Sequence, residues 1–410
     1  MNNLFNVKNQ FFTSFFIFFW SFFIYYGIFI AIMNIFYPYN EILPTSKAHD
    51  SYVFNNCISL ANSGNDLTLA VGKNSLSADQ LRKHYGTEKA SSLKVCQLPI
   101  VRKNNIINLT WNRIFFSSSQ RFIKKLHPDI VIVSVLKQGA YHFSRKVLGS
   151  TYVYEVHQLS WYPNMSIDDT SRKAIAYEKS ILENADLVTV TTHQLKNILL
   201  LPPYSLTNRI EIVPLAIRAH SLPTMPSYDN TDPLTLAYVG QLYKGQGVEN
   251  LIDAIAGIDN IKLIIIGGNT KEIAQLSKRD ARGTVKFYGF QPPAKIHKLI
   301  TSSHAFVAPF EPTGRMPYVA HTKLLEYSYW KRPVIAPDLP IVKEHFLDNS
   351  GALLYKPGSA EDLRRCIKIL QCNNTRKLMQ IKTNALQPPL SWENRSSHYS
   401  NLLESSRQTE

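Results

Sequence analysis

His321-Thr-Lys-Leu-Leu-Glu-Tyr-Ser-Tyr-Trp-Lys-Arg-Pro-Val-Ile-Ala-Pro-Asp338 is the stretch on which the reading of the fold turns. An apolar run, Ala305 to Ala308, precedes it, and a loop carrying Pro309, Pro312, Gly314 and Pro317 joins the two. Lys323 to Trp330 reads as a short helix and Val334 to Ala336 as the next buried strand. Strand, loop, helix, strand is a parallel βαβ step, whose ligands sit at helix N-termini facing the strand ends. Lys323 and Glu326 stand three apart and share a helix face near that end. A cation there suits a phosphate, and a carboxylate suits a pair of hydroxyls. Taken alone, the two make an ordinary solvated helix pair.

The same rhythm extends in both directions. Upstream, Leu234 to Val239, Lys262 to Ile266 and Val285 to Tyr288 are strand-like; downstream, Ala352 to Tyr355 follows. In the first half, Met33 to Pro38, Leu67 to Val71, Ile130 to Val135, Thr151 to Tyr154, Leu187 to Thr191 and Ile210 to Val213 are the strand candidates. Helix-like periodicity falls between them at Tyr52 to Ala61, Asn108 to Leu126, Ala140 to Leu148 and Ser171 to Asn184. Apolar strands alternating with helices describe a parallel sheet covered on both faces. Residues 217–233 interrupt the alternation with Pro223, Pro226, Asp229, Asn230, Asp232 and Pro233, and read as a linker. The expected division is a first α/β domain at 33–216, a second at 234–385 and a closing segment at 386–410. At 410 residues the chain is long for one core, and two doubly wound domains place a cleft between their strand ends.

Residues 1–32 stand apart. Phe11 to Ile32 runs for 22 residues without a charge, and ten of the 21 phenylalanines fall in the first 32 positions. That length spans a bilayer, and no small-residue cleavage site accompanies it. Two readings stand: a membrane anchor, or an upstream extension of a chain that starts at Met33, whose strand follows with no linker. The net charge of +15 is spread without a long Lys/Arg run, which argues against nucleic acid and fits an anionic substrate or an anionic membrane face. Cys57, Cys96, Cys366 and Cys372 show no CxxC spacing, as expected of a reducing compartment.

A dinucleotide site would need Gly-x-Gly-x-x-Gly after an early strand. Gly267-Gly268 follows a strand but continues Asn-Thr-Lys-Glu. Gly240-Gln-Leu-Tyr-Lys-Gly245-Gln-Gly247 also follows a strand and opens a helix, Val248 to Ile255. Its three glycines let backbone approach a ligand at a helix N-terminus, which suits a phosphate. A tight turn with no ligand is the plainer alternative, since the spacing matches neither the dinucleotide nor the Walker pattern.

Tyr238 to Ile255 resembles the first motif of the C-terminal domain of family 4 glycosyltransferases. The later pieces follow in the family's order: Leu263-Ile-Ile-Ile-Gly-Gly268, Val285-Lys-Phe-Tyr-Gly-Phe290, Lys323-Leu-Leu-Glu-Tyr327, Arg332 to Pro340 and Gly351 to Gly358. The first half agrees through Tyr154-Glu-Val-His157, Glu178, Ala185 to Thr192 and Ile212-Val-Pro214. Ser391-Trp-Glu-Asn-Arg395 is similar to the closing helix that packs back on the N-terminal domain. The resemblance covers Met33 to about Glu404.

It implies a GT-B architecture, two facing Rossmann-like domains with a nucleotide-sugar held mainly by the second. It further implies transfer with retention of anomeric configuration, without metal or other cofactor, and the chain has no Asp-x-Asp triplet. By position, Glu326 matches the carboxylate that binds the nucleotide ribose, Lys323 and Leu324 lie in the same donor segment, and His157 matches a cleft histidine that contacts the transferred sugar. His157, Lys323 and Glu326 are the catalytic candidates, and Gly240, Gln241, Lys244, Gln246, Gly247 and Arg315 complete the donor set. The loop after the first strand, with Ser46, Lys47 and His49, is placed either to meet a hydroxyl acceptor or simply to connect. A lipid-linked or cell-surface glycan is the expected acceptor, at the cytoplasmic face of a membrane where such donors occur.

The family commonly has an Arg after the first loop glycine and a Lys before the last; here Gln241 and Gln246 hold those positions. Lys244 or Arg315 is placed to supply the charge. The first member of the paired-glutamate motif is absent, since Tyr318 stands eight before Glu326. Charged hydrogen bonds contribute about 1.5–3 kcal/mol each, so two lost cations matter. Three readings follow: a retaining glycosyltransferase with a shifted basic residue, a nucleotide-sugar epimerase or sugar phosphorylase on the same fold, and a non-catalytic binding protein.

Overall fold

The structure, a computed structural model, describes residues 32–45, 47–87, 92–102, 111–218, 233–346, 351–386 and 389–407. Residues 1–31, which contain nearly all of the apolar N-terminal segment, and 219–232, most of the expected linker, lie outside them. Among the described residues no helix is long and apolar enough to cross a membrane.

Thirteen strands form two sheets among the described residues. The first contains β1 (Asn34–Pro38), β2 (Asp66–Gly72), β3 (Leu93–Leu98), β4 (Ile130–Val133), β5 (Thr151–Val156), β6 (Leu187–Val190) and β7 (Ile210–Ile212). Their spatial order is β3-β2-β1-β4-β5-β6-β7, and every pair is parallel. The second contains β8 (Leu234–Val239), β9 (Ile261–Ile266), β10 (Val285–Phe287), β11 (Ala305–Val307), β12 (Val334–Pro337) and β13 (Ala352–Tyr355). Its order, β10-β9-β8-β11-β12-β13, is again all parallel. Each order reverses direction once, between β1 and β4 and between β8 and β11. Those are the points where doubly wound sheets open a crevice for ligand.

The central strands are apolar on both faces because helices cover both. β4, β5, β6 and β8 are buried throughout, and each sheet separates two apolar clusters. β3 is different: Leu93-Lys-Val-Cys-Gln-Leu98 is only partly buried, with Lys94 and Gln97 exposed, and sits at the sheet edge. It was not among the expected strands, since a hexamer interrupted by Lys94 and Gln97 has neither the apolar run that marks a central strand nor a clean alternation. The expected helix at Ala140 to Leu148 lies earlier, at Leu136–Phe143, because β4 ends at Val133 and Ser134-Val135 turn directly into it. An unexpected helix, Ala78–Tyr85, begins with a reciprocal cap between Ser77 and Gln80. Ser-x-x-Gln is a legible start signal that the pattern of apolar residues alone passes over.

The final helix, Trp392–Arg407, packs against Ala48–Asn62 of the first domain. The two crossings between domains run side by side, where Ile217 bridges Ser391 in parallel and its N–H donates to Leu390 O at 3.1 Å. Loop contacts also join the domains. Thr192 Oγ1 donates to Tyr318 O at 2.9 Å, and the N–H of His193 donates to Glu344 Oε1 at 2.7 Å. Beside this second contact lies an open crevice of about 590 Å³, lined by His193, Gln194, Asp338, Pro340, Lys343 and Glu344.

Candidate functional site

At the β8/β11 reversal, the loops after the two strands touch through backbone. A Cβ on Gly247 would lie 1.8 Å from Pro309 O, and Gly247 has φ +70°, so only glycine fits. Gly267, after β9, is equally constrained: its Cβ would fall 1.9 Å from Gly240 O. These contacts draw the loop after β8 against the end of β9 on one side and against the loop after β11 on the other. Gly247 opens the helix Val248–Ile255 and His321 opens Thr322–Tyr329, both without a side-chain cap. Two helix N-termini with uncapped N–H groups therefore end at one switch point, a favourable place for an anion.

Lys323 occupies the centre of this arrangement. Its side chain is nine-tenths buried, and Nζ donates to Tyr238 Oη at 3.0 Å and to Gln246 Oε1. It also lies 4.5 Å from the centroid of the Tyr238 ring. A Cβ on Gly240 would stand 3.2 Å from Nζ, so the first loop glycine leaves the ammonium its room. An ammonium has three N–H donors and no acceptor. Two are spent on neutral oxygens and one remains. No carboxylate lies within ion-pair distance of Nζ among the described residues, and burial lowers the group to about 7 against the opposing pull of Glu326.

Glu326, one turn on, is half-buried, and its carboxylate makes no hydrogen bond among the described residues. Burial pushes it up to about 7, with the Lys323 charge opposing. The helix that carries both residues is fixed by its other positions. Tyr327 Oη accepts from Val239 N at 2.9 Å, and its ring stacks on Phe306 at 4.6 Å. His321 stacks on Phe310 at 4.1 Å and contacts Met316 O at 2.8 Å; burial holds its imidazole down to about 3. Leu324, expected among the donor ligands, is fully buried in the core, and its N–H is taken by His321 O at 3.0 Å. Its part is packing.

The remaining donor candidates divide. Gln246 is buried and serves Lys323 as an acceptor; Gln241 is exposed, with its carbonyl accepting from Tyr238 Oη at 2.5 Å. Lys244 is exposed. Arg315 reaches across the domains, donating to Gln158 Oε1 at 2.5 Å and to Tyr243 Oη at 3.4 Å. Tyr238 and Gln158 were not singled out by sequence reasoning. A tyrosine two residues before a glycine loop is the signal that a buried hydroxyl needs a partner there.

The other domain places His157 at the end of β5, next to Gln158. Its imidazole packs edge-on against Tyr52 at 4.4 Å and His49 at 4.8 Å. The sequence candidates His157 and His49 thus meet. His49 Nε2 lies 3.3 Å from Ser134 Oγ, and burial, reinforced by His157, lowers it to about 3. Lys47 instead points outward, ion-paired with Glu41 at 2.7 Å, and Ser46 lies outside the described residues. The segment is shaped by buried Asp50, which accepts from Tyr39 Oη at 2.6 Å and Thr45 N at 3.0 Å.

Two all-parallel sheets, each with one reversal of strand order, in two domains joined by loop contacts and a returning C-terminal helix make the GT-B fold. Residues 226–387 match the family model of the glycosyl transferases group 1. An uncharacterised glycosyltransferase of Methanocaldococcus jannaschii is 22% identical over 330 residues, 73% of this chain and 80% of that protein. Among solved structures, sucrose-phosphate synthase from Thermosynechococcus elongatus superposes with TM-score 0.69 at 16% identity, covering 92% of this chain and 99% of that one. HepE of Anabaena in complex with UDP superposes with TM-score 0.65 at 14% identity, covering 91% and 100%. At such identities the superpositions establish the fold.

Proposed function

We propose that this protein is a retaining, metal-independent glycosyltransferase of family 4, moving a hexosyl or related sugar from a nucleotide-sugar to a hydroxyl acceptor. The carrying observation is the Lys323 ammonium, buried against two neutral oxygens with one N–H unspent beside two uncapped helix N-termini. Breaking the bond between sugar and phosphate leaves a nucleoside diphosphate, and fixed positive dipoles with one cation at that leaving group stabilise the charge as it develops. Residues 234–385 act as the donor domain and 33–216 as the acceptor-side domain, with 217–233 as linker and 386–410 closing back on the first. Lys323 takes the diphosphate with the Gly240–Gly247 backbone, Glu326 accepts from the ribose hydroxyls, and His157 faces the transferred sugar. Lys323 also answers the loss of both loop cations: Gln246 is its acceptor where a second ammonium would repel it. The HepE structure with UDP supports a uridine donor as the first to be tried.

The acceptor is proposed to be a lipid-linked or cell-surface glycan precursor, met at the cytoplasmic face of an anionic membrane with residues 1–32 as the anchor. The net charge of +15 and the apolar start support that placement. Calorimetry with UDP-, GDP- and ADP-sugars, followed by product analysis with and without chelator, tests the reading. Expected are binding of one nucleotide class and transfer to an added acceptor in chelator with the anomeric configuration kept. Isomerisation of the donor alone, or phosphorolysis, would replace transferase by epimerase or phosphorylase; no binding to any nucleotide-sugar would leave a non-catalytic protein.

A further inference from the structure

The closing helix carries a residue that the donor site does not use. Arg395 is 1% exposed, in the first turn of Trp392–Arg407, and is directed into the first domain. Its Nη1 donates to Asn56 Oδ1 at 2.5 Å, its Nη2 to Tyr52 Oη at 2.5 Å, and its Nε to Pro214 O at 2.8 Å. A guanidinium is donor only. Tyr52 and Asn56 must therefore present acceptor oxygens to it and turn their own hydrogens elsewhere. Those hydrogens meet one carboxylate: Tyr52 Oη donates to Glu155 Oε1 at 3.2 Å, and Asn56 Nδ2 donates to the same oxygen at 3.1 Å. Tyr37 Oη supplies the other oxygen at 2.6 Å. Glu155 is 3% exposed, and its Oε2 lies 3.8 Å from His157 Nε2, which has no other polar partner among the described residues.

We infer that Glu155, oriented through Tyr52 and Asn56 by Arg395, is a positioning residue that holds the cleft imidazole of His157 in one orientation with Nε2 protonated. This rests on the role proposed above for His157. A buried carboxylate is expensive unless fully partnered, and here three donors and an imidazole partner it. A purely structural network would satisfy the carboxylate without aiming a charge at the His157 ring. The groups facing His157 are few. Glu155 lies on its own strand, His49 and Tyr52 come from Ala48–Asn62, and Tyr37 on β1 and Arg395 reach it through Glu155. His49, lowered to about 3, stays neutral across the working range, which leaves Glu155 as the charged group against the ring.

The test is nuclear magnetic resonance of full-length protein with labelled histidines, the His157 signal being assigned by its loss in His157→Asn. In Glu155→Gln the His157 ring-nitrogen signals should move from the pattern of a single Nε2–H tautomer toward a mixture of the two tautomers. Turnover of nucleotide-sugar should fall at least tenfold, with the KM for donor moving less than threefold. Arg395→Lys keeps the charge and loses the fork, so a smaller change in the same direction is expected; it carries the test alone if Glu155→Gln does not fold. Unchanged His157 ring-nitrogen signals in the folded variants would overturn the inference, as would unchanged turnover. If the tautomer balance moves while wild-type protein transfers no sugar, the positioning stands and the proposed reaction falls.

Discussion

The two switch points solve opposite problems. Around β5, the buried charge of Glu155 is met by Tyr37, Tyr52, Asn56 and His157; burial pushes its carboxyl up, but His157, Arg395 and Tyr37 outweigh it and hold the group at about 2. Around β8 and β11, the buried charge of Lys323 meets only the oxygens of Tyr238 and Gln246, and burial wins, lowering it to about 7. One charge is complete within the protein; the other has no ion-pair partner among the described residues. A finished network fixes geometry, whereas an unfinished one marks where a charged ligand belongs. Under the proposed function, Gln246 stands in for a loop cation by orienting Lys323 without competing for its anion.

The comparison can be broken at its scaffold first. Gly247→Ala would drive a Cβ to 1.8 Å from Pro309 O at a left-handed φ. We expect a loss of about 3 kcal/mol or more in stability and of donor binding together, read by denaturant unfolding and calorimetry. Gly257→Ala is a useful contrast, because its Cβ meets nothing within 4 Å although its φ is +78°. Strain alone should cost about 1 kcal/mol there. Next is the charge itself. Lys323→Met removes an uncompensated buried cation, so donor affinity should fall about 30- to 100-fold. Stability should meanwhile rise by about 1–2 kcal/mol, the signature of a functional charge held at a cost.

Gln246→Glu sharpens the comparison by finishing the unfinished network. A carboxylate on Nζ should raise the Lys323 pKa and weaken diphosphate binding about tenfold, since the anion must now displace another. The effect of pH is subtler. With its folded pKa lowered to about 7 from the usual 10.5, Lys323 is partly neutral above neutrality. The unfolded chain keeps that proton up to about 10. This group therefore opposes folding fully below about 7, and the opposition fades as pH rises toward the unfolded value. For binding the sign is reversed: diphosphate requires the ammonium, so binding at pH 8 should take up a proton and weaken as pH rises. Calorimetry in buffers of different ionisation enthalpy measures that uptake.

Much of the fold was legible because β8 to β13 are apolar runs separated by glycine and proline, and all six appear where expected. β3 was not, since Lys94 and Gln97 interrupt its apolar residues at an edge that only the assembled sheet defines. At the site, the spacing of Lys323 and Glu326 predicted a shared face, and the solvated pair it equally allowed is absent because both are drawn into the switch point. What spacing could not show is long-range. Tyr238 and Gln246 meet Lys323 from 85 and 77 residues away, and Arg395 meets Tyr52 from 343. Glu155 was visible only as one letter of Tyr-Glu-Val-His, because its partners come from β1, the first helix and the last.

The account rests on Lys323 as the cation of a nucleoside-diphosphate site. Titrating wild-type protein and Lys323→Met with the nucleotide-sugar that binds wild type, at pH 7 and matched salt, tests it most directly. The account predicts a folded, somewhat more stable variant whose dissociation constant is at least 30-fold larger. A folded variant that binds the same donor within threefold of wild type would contradict it.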